Sequence, residues 1–293
     1  MDVAYFIEQL SNGLAVGSIY ALIAIGYSFV YSILNLINFA HGYVIMVGAF
    51  IAYTLLQVGV PPLFAIPFAC IAGALLAVAV ERIAYRPVRS SRRVVPMISA
   101  LGAGLVLSSI AQFIWGPEVH PFPQLIDRVP IVLGGLAFSS HSLLILAISI
   151  VLVAGASWVL HKTKFGVAAQ CVCQDIDAAR LVGIPIEKVI LAVYALGGFL
   201  GVAGGVLFAM YFNAVFIQMG LLATTKAWAA AMLGGIGSFQ GAFWGGLLLG
   251  LAETAAVATF GAAYRDGVSL GIIVLVLLIR PSGLFGAKLV ERS

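Results

Sequence analysis

Few residues in this chain have the type and spacing for chemistry. Cys171 and Cys173 form a Cys-x-Cys pair, but with Cys70 as the only other cysteine no second ligand pair exists for a structural zinc, and a disulfide framework is excluded. All three read as reduced thiols. No Gly-x-x-x-x-Gly-Lys-Ser/Thr run is present to cradle nucleotide phosphates, no His-Glu-x-x-His, and Ser238 is not in a Gly-x-Ser-x-Gly elbow. His120, His141 and His161 are scattered near the ends of apolar runs, where solvation explains them. His41 differs, because Asn35-Leu-Ile-Asn-Phe-Ala-His-Gly42 places the amides of Asn35 and Asn38 beside its imidazole. That trio offers polar contacts to a passing solute, or else builds a turn between two helices. Glu253 is the one acid well inside an apolar run, where it either pairs with Lys226 near the outer surface or caps a packing contact.

The elements that position these residues follow from composition. Of 293 residues, 62% are hydrophobic and 9% charged, which excludes a soluble globular domain. The net charge of +4 is too sparse for a nucleic-acid groove, so nucleic acid is not an expected partner. A bilayer core needs about 20 apolar residues per helical crossing. Runs of that kind are expected at 13-34, 41-58, 62-81, 94-115, 140-160, 188-211, 222-237, 241-260 and 267-280. The period-2 alternation of a barrel strand is absent. The expected fold is therefore all-α: a polytopic transmembrane bundle of about nine spans, eight to ten at the limits, forming one domain over 1-293. Residues 1-12 carry Val3, Phe6, Ile7 and Leu10 at helical spacing and are expected as an amphipathic helix on the outer surface, with no cleaved signal.

Basic residues set the orientation, because Lys and Arg in short loops stay on the cytoplasmic side. Arg82, Arg86, Arg89, Arg92 and Arg93 lie in one loop, Lys162, Lys164, Arg180 and Lys188 in another, and Arg280, Lys288 and Arg292 in the tail. The remaining cations are Arg128, Lys226 and Arg265. This predicts an outer N-terminus and a cytoplasmic C-terminus, with the Arg82 to Arg93 loop acting as a topology determinant. Two interruptions fall among the spans: the Asn35 to Gly42 stretch, and Leu233-Gly-Gly-Ile-Gly-Ser-Phe-Gln-Gly241. Irregular backbone at membrane depth is tolerated only where protein or a wet cavity covers it, and paired interruptions point to a transport path. Asn35, Asn38, His41, Gly235, Gly237 and Ser238 are the candidates for such a path, with two tight turns as the equal alternative. Gly13, Gly17 and Ala21, then Gly197, Gly201 and Gly205, and the pairs Gly241/Gly245 and Gly246/Gly250 recur at four-residue spacing and are expected to let helices approach closely.

The cytoplasmic loop over 163-187 contains a short helix with its signals intact. Asp175 can cap it, Asp177 sits in its positive first turn, Gly183 supplies a left-handed exit and Pro185 prevents continuation. Ile176, Ala179 and Val182 are expected to share its apolar stripe, either resting on neighbouring helix ends or fitting a groove on a cytoplasmic partner.

Several separated stretches resemble one family. Gly13-Leu-Ala-Val-Gly-Ser-Ile-Tyr-Ala-Leu-Ile-Ala-Ile-Gly26, Leu36-Ile-Asn-Phe-Ala-His-Gly42, Ala178-Ala-Arg-Leu-Val-Gly-Ile184, Lys226-Ala-Trp-Ala-Ala-Ala-Met-Leu-Gly-Gly-Ile-Gly-Ser238 and the closing Arg280-Pro-Ser-Gly-Leu-Phe-Gly286 are similar to the LivH-type permeases of branched-chain amino acid ABC importers. The resemblance implies a non-catalytic subunit of a bacterial inner (cytoplasmic) membrane importer for Leu, Ile and Val. It implies a second homologous permease, two ATP-binding cassette subunits and a periplasmic substrate-binding protein as partners within the lipid bilayer. No cofactor is expected on this chain, ATP being used by partner subunits. The loop helix would be the coupling helix, with Asp175, Ile176, Asp177, Ala179, Arg180, Leu181 and Gly183 meeting the ATPase. Family members often carry an Arg just upstream, where this chain has Gln170. Other readings are a permease of the same family for urea or other amino acids, and a stand-alone secondary transporter or channel.

Overall fold

Each of the nine apolar segments is helical in a computed structural model, which describes residues 3–125, 130–133, 136–280 and 283–285. They are α1 (Val3–Leu34), α2 (His41–Gln57), α3 (Pro62–Val80), α4 (Val94–Trp115), α5 (Ser140–Lys162), α8 (Ile186–Phe212), α9 (Met219–Gly234), α10 (Phe239–Phe260) and α11 (Arg265–Ile279). Between α5 and α8 lie α6 (Lys164–Gln174) and α7 (Ile176–Leu181). Six helices, α1, α3, α4, α5, α8 and α10, are long and apolar enough to cross a membrane. The other three, α2, α9 and α11, have 17, 16 and 15 residues, short of the usual crossing length. The chain is thus a polytopic helical membrane protein. Residues 3–12, expected as a surface helix, run into α1 without a break. Lys288 and Arg292 of the charge argument, and Arg128, lie outside the described residues.

Five short turns and three longer connections, over 81–93, 116–139 and 163–185, make the nine helices alternate between two faces. At one face, the connector face, α1 ends and α2 begins, and a turn over 235–238 joins α9 to α10. The other face carries the turn over 58–61 and two features that all-α expectation lacked: His120–Pro121 (β1) pairs antiparallel with Ala214–Val215 (β4), and Pro130–Leu133 (β2) pairs with Leu136–Ser139 (β3). Prolines at 117, 121, 123 and 130 withhold amide donors from helical bonding there, and paired extended backbone satisfies the remainder.

Two helices form the centre. The apolar windows of α1 and α8 are 94% and 72% buried, against 22% for α4 and α5 at the periphery. Small residues make this possible, as their spacing predicted. A Cβ on Gly17 would stand 2.8 Å from Leu247 Cα of α10, and one on Gly26 would stand 2.7 Å from the Gly197 carbonyl of α8. Little hydrophobic drive acts between helices in lipid, so close backbone approach and dispersion hold α1 against both neighbours.

Candidate functional site

The connector face is built from caps. Thr163 Oγ1 accepts from Gly166 N at 3.1 Å and starts α6, an amphipathic helix inside the stretch expected as loop. Gly166, Ala169 and Val172 face inward from it, and Cys173 donates its thiol hydrogen to the Ser32 carbonyl at 3.0 Å, fastening α6 to the end of α1. Asp175 then accepts from Asp177 N at 2.9 Å and Ala178 N at 3.0 Å, which caps α7 as its position predicts. Gly183 leaves α7 with φ +82°, and Pro185 precedes α8. Arg180 and Asp177 pair one turn apart at 3.6 Å, both solvent-facing.

The apolar stripe differs from expectation. Ala179 is buried at 3% exposure, while Ile176 is 36% exposed and Val182 76%. Leu181 is 89% exposed, so the apolar tip of α7 is Leu181 with Val182. A six-residue helix cannot hold three positions on one buried face once Ala179 is drawn in against the rest of the bundle, and the exit turn at 182–183 swings Val182 outward.

A charge cluster ties this loop to the rest of the connector face. A one-turn π-helix, Glu81–Tyr85, continues α3, closed by Arg86 N donating to the Glu81 carbonyl at 2.7 Å. It turns Glu81 inward, where its side chain is 1% exposed and 3.6 Å from Arg89. Arg89 also donates to Glu187 in the first turn of α8, and Arg86 lies 3.5 Å from the same carboxylate. Two of the five loop arginines therefore join the base of α3 to the residue that follows α7 and its exit proline. The Arg82 to Arg93 loop thus has a structural use beside the topological one. Nothing in the sequence signals a pairing between positions 98 apart.

The six path candidates separate into two hairpins and one core contact. Asn35 ends α1 with φ +52°. Asn38 Oδ1 accepts from Ala40 N at 3.0 Å and from Tyr85 OH at 3.2 Å, which locks the turn to the π-helix. His41 is 2% exposed and packs against Gly201, with its ring edge toward Tyr27 at 6.0 Å. Gly235 (φ +110°) and Gly237 (φ +84°) make the α9–α10 turn, and Ser238 caps α10 by accepting from Gly241 N at 3.1 Å. The second interruption meets the end of α1, since a Cβ on Gly237 would stand 3.8 Å from Ser32 Cβ. Ser32, Gln170, Cys173 and Gly237 line a 180 Å³ cavity between them. The tail closes on the same hairpin: Leu284 N and Phe285 N each donate at 2.9 Å, to the carbonyls of Leu233 and Gly234, satisfying acceptors that the end of α9 leaves free.

Deeper in the bundle Lys226 and Glu253 pair at 2.5 Å, as their isolation in apolar sequence suggests. Lys226 also meets Asp266 and Ser269, both at 2.7 Å, and Tyr20 donates to Glu253 at 2.8 Å. Asp266, Ser269 and Tyr20 were not anticipated, because only the fold brings α1, α9, α10 and α11 together here. Among the described residues no three His, Cys, Asp or Glu side chains gather to hold a metal.

These features define a polytopic membrane protein with a capped, partly solvent-facing helix on one face and paired charges at membrane depth. The family described as "Branched-chain amino acid transport system / permease component" matches residues 9–277, and the chain belongs to it. It is 37% identical to the high-affinity branched-chain amino acid transport system permease protein BraD of Pseudomonas aeruginosa, over 99% of both chains. To LivH of Escherichia coli, a protein of the same description, it is 34% identical over 98% of both. Among solved structures, PsaBC from Streptococcus pneumoniae in complex with Fab aligns at TM-score 0.51 and 13% identity, covering 96% of this chain and 97% of that one, a likeness of fold.

Proposed function

We propose that this chain is one of two homologous permease subunits of an ATP-driven importer for Leu, Ile and Val in a bacterial inner membrane. A periplasmic protein delivers substrate, and two cytoplasmic ATP-binding cassette subunits drive the cycle. The observation that carries this reading is identity of 37% and 34%, from end to end, with permease proteins described as high-affinity branched-chain amino acid transporters. In this reading all nine long helices cross, which puts the N-terminus outside and the connector face in the cytoplasm. That orientation accords with the basic residues gathered on that face.

The ATPase contact is α7, with its cap Asp175 and exit Gly183. Leu181 and Val182 are its apolar tip, and Asp177 with Arg180 its polar rim. Closure of the ATPases moves α7 as a rigid unit. The displacement passes through Pro185 to Glu187 on α8, and by Arg89 to Glu81 at the base of α3. It also passes through α6 and Cys173 to the end of α1, where the hairpins bearing Asn35 to His41 and Gly235 to Ser238 act as hinges at the inner end of the path. Nothing in that chain of contacts requires a cofactor on this subunit.

The test is to purify the chain from its native membrane in mild detergent and identify every polypeptide that accompanies it. Stoichiometric ATP-binding chains and a second permease are expected. A lone chain or homo-oligomer that moves leucine in liposomes without ATP would overturn the proposal.

A further inference from the structure

Ionisable side chains inside a membrane are costly to place and mark functional sites by default. Lys226 sits near the middle of α9, eight residues and therefore about 12 Å from its connector-face end. Its ammonium touches two carboxylates that are not equivalent. Glu253 is sealed in the bundle at 1% exposure and held by Tyr20, whereas the Asp266 side chain is 67% exposed. Two carboxylates thus share Lys226, Arg265 at the start of α11 supplies a second positive charge nearby, and Asp266 is the carboxylate exposed enough to exchange its partner.

Beside this pair lies a cavity of 190 Å³ between α9 and α11. Lys226, Asp266, Ser269 and Thr225 are its polar lining, and Leu221, Leu222, Ala229, Leu270 and Ile273 its apolar lining. A cavity of about 150 Å³ suffices to hold benzene, so the space is on the scale of one small organic molecule. A charged end of both signs joined to an aliphatic body is the complement of a zwitterion with a hydrophobic side chain.

We infer that this cavity binds one aliphatic α-amino acid during transport. The ligand's carboxylate takes the place of Asp266 on Lys226, its ammonium pairs with the released Asp266, and its side chain lies among Leu222, Ala229, Leu270 and Ile273. One ion contact is exchanged for two, and the Lys226–Glu253 pair keeps the lysine fixed throughout. The inference deepens the importer reading and rests on it.

Thiol protection tests it. Leu270→Cys, in a chain that keeps its native cysteines within the reconstituted complex, is alkylated by N-ethylmaleimide with and without saturating L-leucine, and modification at residue 270 is read by mass spectrometry. Leucine should slow the reaction several-fold, should not slow it at Leu278→Cys further along the same helix, and should lose the effect when Asp266→Asn is added. An unchanged rate in a complex that still imports leucine overturns the site and leaves the importer reading standing. Equal protection by 4-methylpentanoate, which lacks the ammonium, also overturns it and makes the cavity an apolar or lipid pocket. A wild-type complex that imports no leucine overturns both.

Discussion

Replacing Gly183 with valine is the sharpest perturbation of the coupling element. Gly183 has φ +82°, and a Cβ built there meets nothing within 4 Å. The substitution therefore adds no clash and acts through the backbone alone. A β-branched residue held in the left-handed region costs about 1–3 kcal/mol. The exit it strains is made by two bonds, Gly183 N to the Arg180 carbonyl at 3.1 Å and Ile184 N to the Ala179 carbonyl at 3.0 Å. With six residues α7 has little stability of its own, so the strain is relieved by unwinding the exit. At about 2 kcal/mol the population of the intact exit falls roughly thirtyfold relative to its unwound form. The assay is leucine uptake and ATP hydrolysis measured together in proteoliposomes holding the whole complex. Gly183→Val should insert and assemble normally, keep hydrolysing ATP, and lose several-fold in leucine carried per ATP. Gly183→Asn, which tolerates this conformation, should stay near wild type. A valine variant with unchanged uptake per ATP would refute the assignment of α7 as the element that transmits the stroke.

Three further outcomes follow from the contacts. Asp175→Ala removes the acceptor for two free amides and should destabilise α7 by about 1 kcal/mol, seen as faster amide exchange over 176–181, with Asp175→Ser restoring protection. Arg89→Ala strands the buried Glu81 carboxylate at a cost of about 3 kcal/mol, which should lower the unfolding temperature in detergent; an unchanged transition would mean the cluster contributes nothing. Gly17→Leu should abolish recovery of monodisperse protein, because its side chain must enter the Leu247 backbone of α10, while Gly102→Leu, with nothing within 4 Å of its Cβ, should leave recovery unchanged.

What was legible in the sequence is what local chemistry encodes. Apolar length located all nine long helices, four-residue glycine spacing gave the α1 contacts, and Asp175 with Gly183 bounded α7, because a cap and a left-handed exit are decided within a few residues. Side-chain direction was less legible: helical spacing put Val182 with Ala179, whereas the exit turn separates them, burying one and exposing the other. Tertiary pairings were not legible. Arg89 finds Glu187 and Asp266 finds Lys226 only because distant helices are adjacent, and the π-helix that aims Glu81 inward leaves no periodic signature in an apolar run. The antiparallel pairs over 120–139 and 214–215 escaped a helical reading because strands of two to four residues carry too little period to detect.

The central claim is that α7 docks on an ATPase through its exposed tip. A benzophenone-bearing residue placed at Leu181, activated by light in native membranes, tests this most directly when the crosslinked partner is identified by mass spectrometry. A Walker-loop protein is expected as the principal adduct, lost when the same residue is placed at buried Ala179. Adducts to lipid alone, or to this chain alone, would contradict it.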